Sequence, residues 1–116
     1  MGNNYDKVLE YFDERISEAV DGEIPRVFYT AYDIDDQEIP IDNIDQICAQ
    51  GNIRFFLFNN FTTRQYQDPT WLDLCVEIHR FSKRFNIPYL LFLESIKMKN
   101  DNLVKVNFFY RNIIKN

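Results

Sequence analysis

Apolar residues recur at helical spacing, one every three or four positions, in two long segments of this chain. The first segment begins near Asn4, a good helix-capping residue, and ends near Gly22. Its apolar members are Tyr5, Val8, Leu9, Phe12, Ile16 and Ala19. The second begins at Asp68 and Pro69 and ends near Asn86. Its apolar members are Trp71, Leu74, Cys75, Ile78, Phe81 and Phe85. Each segment predicts an amphipathic helix.

Four other segments are rich in β-branched and aromatic residues and predict strands. They cover residues 26–34, 53–58, 89–98 and 103–111. Turn-forming residues at 99–102 predict that the last two strands form an antiparallel hairpin. Weaker patterns lie between the strands. They predict a short return segment at 37–41, a two-turn helix at 42–51 that ends at Gly51, and a polar loop at 59–67.

The order of these elements, α-β-(β)-α-β-α-β-β, predicts an α+β fold. We expect a single domain over residues 1–116, with an antiparallel or mixed sheet of four to five strands and helices packed on one of its faces. The alternation within the strands and the helical stripes together define the predicted core. Its members are Val27, Phe28, Phe55, Leu57, Leu74, Ile78, Phe81, Leu91, Val106 and Phe108.

Composition adds constraints on location. The chain has 116 residues, of which 46% are hydrophobic, and this suits one well-filled core. No window approaches the roughly 18 apolar residues of a membrane-spanning helix. The acidic, amphipathic N-terminal segment lacks the basic start and apolar run of a secretory signal. Cys48 and Cys75 are too few for a disulfide scaffold, so we expect reduced thiols in a cytoplasmic protein without membrane contact.

Charge is distributed unevenly along the chain. Residues 1–51 contain thirteen acids and three bases, whereas residues 52–116 contain five acids and ten bases. This asymmetry predicts an acidic face and a basic face, each able to attract a partner of opposite sign. The bases of the second half are spread over several predicted elements. Because the sequence pI is about 4.8, direct binding of nucleic acid is not expected.

The segment 33–45, DIDDQEIPIDNID, is acidic and contains no base. Its acids are Asp33, Asp35, Asp36, Glu38, Asp42 and Asp45. A calcium loop would need Gly where Glu38 stands and Glu where Ile44 stands, so the EF-hand pattern fails. A solvated loop, a metal site and a surface that binds a basic partner remain open. We predict partner binding by these six acids, helped by Glu14 and Glu18 on the first helix.

Catalytic chemistry finds little support in the sequence. Cys75 and His79 are four residues apart on the second long helix and could form a nucleophile and its base. No third residue completes either a triad or a zinc site, since the chain has one His and one other Cys. Phosphate-binding and hydrolase motifs are absent from the sequence. We therefore predict no catalytic residue, no metal and no cofactor, and Cys75 is expected to be a small buried core residue.

The order of elements resembles that of small bacterial immunity proteins, in particular the YezG-like group. The resemblance rests on the acidic first helix, the aromatic strand at 27–34, and a hairpin of the form IPYLLFLES…VKVNFFY. The local sequence similarity to that group is limited to the motif Leu93-Glu94-Ser95 and a partner strand that ends at Tyr110. The approach to this strand is Pro88-Tyr89 rather than the Trp-Thr of that group. The resemblance implies a cytoplasmic inhibitor that covers a toxin domain, most often a basic nuclease.

Two alternative functions remain open at this point. A phage-type inhibitor of a host defence complex, directed against CRISPR or restriction systems, would use acids in place of nucleic-acid phosphates. The excess of bases in residues 52–116 weakens that hypothesis. A small enzyme that uses Cys75 and His79 is the other alternative.

Overall fold

The computed structural model describes residues 2–29, 44–58, 61–87 and 89–112. Within these residues the helices are α1 (Gly2–Ala19) and α2 (Trp71–Arg84). The strands are β1 (Val27–Tyr29), β2 (Asn52–Leu57), β3 (Phe61–Thr62), β4 (Tyr66–Gln67), β5 (Tyr89–Asn100) and β6 (Leu103–Asn112). The predicted α+β fold is confirmed.

The strands form one mixed sheet in the order β1-β5-β6-β2-β3. The predicted hairpin is present, because β5 and β6 pair in antiparallel fashion. β1 is parallel to β5, and β2 is parallel to β6. The short strands β3 and β4 both pair with β2, β3 near its end and β4 at its start. The two long hairpin strands therefore lie at the centre of the sheet.

One face of the sheet packs against both helices. Phe12 and Ile16 of α1 and Leu74 and Ile78 of α2 belong to the same buried cluster as the inward side chains of the sheet. Of the predicted core residues, this cluster contains Val27, Phe55, Leu57, Leu74, Ile78, Phe81, Leu91 and Val106. Phe108 packs against it, and the side chain of Phe28 lies outside the description. The predicted layering of helices on one face follows from this shared core.

The start of α2 differs from the prediction. Thr70, rather than Asp68, caps the helix through a capping box, in which the Thr70 hydroxyl accepts from Asp73 N and the Asp73 carboxylate accepts from Thr70 N. Asp68 has a positive φ of 49°. Its carboxylate instead accepts a hydrogen bond from Gly51 N at 2.6 Å. The residue therefore ties the entry to β2 to the segment that leads into α2.

The predicted short helix at 42–51 is wrong for the described residues 44–51, which form turns and bends. Their backbone groups bond to the start of α2 instead: Leu72 N donates to Ile44 O at 2.9 Å, and Cys48 N donates to Pro69 O at 2.8 Å. A two-turn helix is marginal by itself, and these non-local bonds replace it. Ile44, which is fully buried, anchors the segment in the core.

Two further segments also bear on the predicted order. The polar loop predicted at 59–67 contains β3 and β4. The return segment predicted at 37–41 lies outside the described residues. Neither helix that the structure describes has both the length and the apolar character needed to cross a bilayer.

α1 ends in a tight motif that contains two residues with left-handed backbone. Gly22 N donates to Ser17 O at 2.8 Å, and Asp21 has a φ of 62°. This is the Schellman pattern, in which the residue at the position of Asp21 is usually Gly. An acid at this end of a helix also opposes the helix dipole.

We therefore expect Asp21→Gly to stabilise the protein. The gain should be about 0.5–1 kcal/mol, because Gly adopts this φ without steric strain. Asp21→Ala removes the same charge but keeps a Cβ, and serves as the matched control. Urea denaturation would measure both variants. An Asp21→Ala protein more stable than Asp21→Gly would contradict the backbone explanation.

Candidate functional site

The solvent-facing side of α1 carries a row of carboxylates. Glu10, Glu14 and Glu18 are exposed and follow one another at a spacing of four residues, opposite the buried Phe12 and Ile16. Asp21 continues the row as an exposed residue just beyond the helix. We call Glu10, Glu14, Glu18 and Asp21 the acidic face.

The acidic face carries an electrostatic cost within the isolated domain. Like charges four residues apart on a helix are destabilising by about 0.2–0.5 kcal/mol per pair, and Glu10, Glu14 and Glu18 form two such pairs. Arg15 gives partial compensation, since its Nε lies 3.9 Å from an Oε of Glu18. Burial raises the pKa of the neighbouring Asp13 carboxyl. The acids are therefore not arranged to favour the stability of this helix.

Arg15 joins the flank of the acidic face to the segment that follows residue 43. Its guanidinium donates to both oxygens of Asp45, with Nη2 at 2.8 Å from Oδ1. Nη1 also donates to the Tyr11 hydroxyl at 3.1 Å. The Arg15 hydrogen bond lowers the pKa of Asp45, and Asp45 in turn raises the pKa of Arg15. Tyr11 remains 39% exposed beside this ion pair.

The predicted site residues are therefore distributed as follows. Glu14 and Glu18 lie on the acidic face, and Asp45 is held next to it by Arg15. Asp33, Asp35, Asp36, Glu38 and Asp42 lie outside the described residues. The sequence pattern places Glu10 and Asp21 on the same exposed side as Glu14 and Glu18, but they were not among the predicted binding residues, and neither was Tyr11.

His79 is part of a separate, largely buried network. Its Nδ1 accepts a hydrogen bond from Arg26 N at 3.0 Å, so the ring proton is on Nε2 in the neutral form. Nε2 then donates to an Oε of Glu23 at 2.8 Å. Lys83 donates to the other Oε of Glu23. The hydrogen bond from Lys83 lowers the pKa of Glu23 most, and the hydrogen bond from His79 lowers it further. The network joins the start of β1 to the middle of α2.

The remaining contacts of Arg26 extend this network to the end of α2. Its Nε donates to Ser82 Oγ at 3.1 Å, and its Nη2 donates to Ile87 O at 3.0 Å. Ser82 is fully buried and His79 is 1% exposed. Each polar group in this region has a structural partner within the fold.

The Cys75 and His79 pair is not arranged as a nucleophile and base. Both ring nitrogens of His79 are engaged with Arg26 and Glu23. Cys75 is fully buried in the hydrophobic core, where desolvation raises the pKa of its thiol to about 12. A thiol with this pKa stays protonated near neutral pH, so it is a poor nucleophile. Cys48 is also a free cysteine, and burial raises its thiol pKa to about 12.

Metal binding was one of the open alternatives for the acids. In the described parts of the chain, no group of three or more His, Cys, Asp or Glu side chains is placed to hold a metal ion. The acidic face is extended along the helix rather than gathered around one point.

The structure also brings together bases that the sequence interpretation left dispersed. Arg54, Lys97, Lys99 and Lys105 are exposed and lie on the sheet face opposite to the helices. The alternation in 103–111 indicated the outward direction of Lys105. Lys105 is a neighbour of Lys97 because of the register between β5 and β6, which cannot be read from the sequence.

Comparison with protein-family models, curated proteins and solved structures finds no match to this chain.

Proposed function

We propose that this protein is a cytoplasmic binding module that neutralises a basic partner, most specifically an immunity protein that covers the nuclease domain of a bacterial toxin. The single observation that supports the proposal most strongly is the row of exposed carboxylates on α1, of which Glu18 alone has an ion-pair partner among the side chains that the structure describes. A basic partner would relieve the mutual repulsion of Glu10, Glu14 and Glu18 on binding.

The acidic face offers both steering and an anchor. Complementary charge speeds the encounter of two proteins, and nuclease domains that bind nucleic acid carry basic surfaces. Tyr11 is exposed at the flank of the acidic face, and Tyr is enriched among the residues that dominate binding energy. Its hydroxyl and ring are already held by Arg15, so little side-chain entropy would be lost on binding.

The acids of segment 33–45 would extend this surface. Asp45, the last of them, is fixed next to Glu18 and Tyr11 through Arg15. On sequence grounds, the proposed binding surface also includes Asp33, Asp35, Asp36, Glu38 and Asp42, which belong to the same acidic segment as Asp45.

Growth protection would test this function. The partner to test is the toxin encoded by the gene next to that of this protein. The C-terminal domain of that toxin is co-expressed with wild type or with the Glu10→Lys/Glu14→Lys/Glu18→Lys variant. We expect wild type to restore growth and the variant to lose protection by at least tenfold in surviving colonies, because steering and complementarity are both reversed. Glu10→Gln/Glu14→Gln/Glu18→Gln should have an intermediate effect.

A folded triple-Lys variant that protects as well as wild type would contradict the assignment of the surface. Failure of wild type to protect against any neighbouring gene product would contradict the immunity function itself. Circular dichroism of each variant ensures that the comparison is made between folded proteins.

A further inference from the structure

The open face of the sheet carries a second charged surface, of opposite sign to the acidic face. Its residues alternate with the buried ones: Ile53, Phe55 and Leu57 point into the core, whereas Arg54 and Phe56 point away from it. Among the side chains that the structure describes on β5 and β6, the exposed cations of this face are Lys97, Lys99 and Lys105. We call Arg54, Phe56, Lys97, Lys99 and Lys105 the basic sheet face.

Strand register arranges these side chains in a row across three adjacent strands. Lys97 of β5 is paired with Lys105 of β6, and Lys105 is paired with Phe56 of β2. Neighbouring strands are about 4.8 Å apart, so this row spans roughly 10 Å. Lys99 extends from the next position of β5, with its Nζ at 5.1 Å from the centre of the Phe56 ring. A half-buried aromatic ring is thus bordered by cations on the sheet face that points away from the helices.

The four cations have no carboxylate partner within the described chain. None of Arg54, Lys97, Lys99 and Lys105 takes part in the ion pairs formed by those residues. Lys97 and Lys105 are directly opposite each other, an arrangement of like charges that destabilises a sheet. An anion bound between them would remove this repulsion.

We propose that the basic sheet face binds single-stranded nucleic acid. Three of its four cations are Lys, which binds phosphate as a point charge but is depleted in protein–protein interfaces. Phe56 supplies a ring on which a base can stack, the combination of cations and aromatic rings that single-strand binding surfaces use. An acidic protein partner would use the charges but would have no specific need of the ring.

The net charge of −5 does not prevent this binding. The sheet and the helix layer both lie between the basic sheet face and the acidic face, and a packed helix alone is about 10–12 Å thick. The Debye length is about 8 Å at physiological salt, so the acids act only weakly at the open sheet face. The carboxylates of the acidic face repel nucleic acid at the helix side of the protein, and this favours its approach to the basic sheet face.

Fluorescence anisotropy with labelled oligouridylate and oligothymidylate of about 12 nucleotides would test the proposal. Four phosphate contacts predict a slope of log K against log salt of about −3, which corresponds to an affinity loss of about 50-fold between 50 and 200 mM salt. Lys97→Gln/Lys105→Gln should reduce the slope to about −1.4. The matched control is Arg80→Gln/Arg84→Gln on α2, which changes the net charge equally and should leave the slope unchanged.

Substitutions of Phe56 test whether the ligand is nucleic acid or another polyanion. Phe56→Leu should weaken oligonucleotide binding by about fivefold or more, and Phe56→Tyr should retain it, since base stacking needs a ring. Absence of oligonucleotide binding at 50 mM salt, or binding that neither Lys97→Gln/Lys105→Gln nor Phe56→Leu weakens, would overturn the proposal. Equal binding of an oligoglutamate peptide, with the same response to the Lys variant, would also overturn it in favour of an acidic protein partner.

Discussion

Phe55→Ala is expected to lower the free energy of unfolding by about 3–5 kcal/mol. Phe55 lies on β2, is fully buried in the core cluster, and its ring centre is 6.1 Å from that of Tyr66. Truncation leaves a cavity that the strand, bonded on both edges, has little freedom to fill. For a domain of this size the melting temperature should fall by about 12–20 °C.

Phe85→Ala is the matched control for this prediction, because the same atoms are removed from a ring that is 49% exposed. Its cost should be clearly smaller, although Phe85 still contacts Phe81 and Phe61. Differential scanning calorimetry would measure both variants. Equal melting temperatures for Phe55→Ala and Phe85→Ala would show that the core is wrongly assigned.

His79→Ala is expected to lower the free energy of unfolding by about 2–4 kcal/mol, which is more than the truncation of a small core side chain would cost. The substitution leaves a cavity and removes the acceptor for Arg26 N and the donor to Glu23. A buried polar group without a partner costs about 1–3 kcal/mol by itself. The sequence alone does not reveal these two bonds or their contribution to stability.

His79→Asn provides the control for the hydrogen-bond part of this loss. The Asn side-chain oxygen can take the position of Nδ1 and accept from Arg26 N, whereas it cannot reach Glu23. We therefore expect Asn to recover part of the stability that Ala loses, measured by urea denaturation. Ala and Asn variants that are equally stable would indicate that the bond to Arg26 N contributes nothing.

The fold was predictable from the sequence where local pattern and tertiary structure agree. The stripe of α2, apart from the half-exposed Phe85, and Val104 and Val106 of β6 lie in or against the observed core. Segment 44–51 failed because the spacing of Ile44, Ile47 and Cys48 also suits a helix. Its actual backbone partners, at the start of α2, are more than twenty residues away and leave no local signature.

The candidate sites likewise divide into features that local sequence pattern reveals and features that depend on residues distant in the sequence. The carboxylates of α1 follow from helical spacing, so the acidic face could have been assigned in full from the sequence. The role of His79 could not, since its partners Arg26 and Glu23 are 53 and 56 residues away. The basic sheet face likewise depends on the register of β2, β5 and β6, which places bases from distant segments in one row.

The most direct test of the proposed acidic interface is the association rate with the co-purified native partner, measured against ionic strength. Glu14→Lys and Asp101→Lys make the same change in net charge, but Asp101 lies on the exposed turn between β5 and β6. We predict that Glu14→Lys slows association severalfold at about 20 mM salt and that the triple Glu10→Lys/Glu14→Lys/Glu18→Lys variant slows it tenfold or more. All rates should converge near 0.5 M salt, where charges are screened, and Asp101→Lys should match wild type. An unchanged rate and an unchanged salt slope in the folded triple variant would contradict binding through the acidic face.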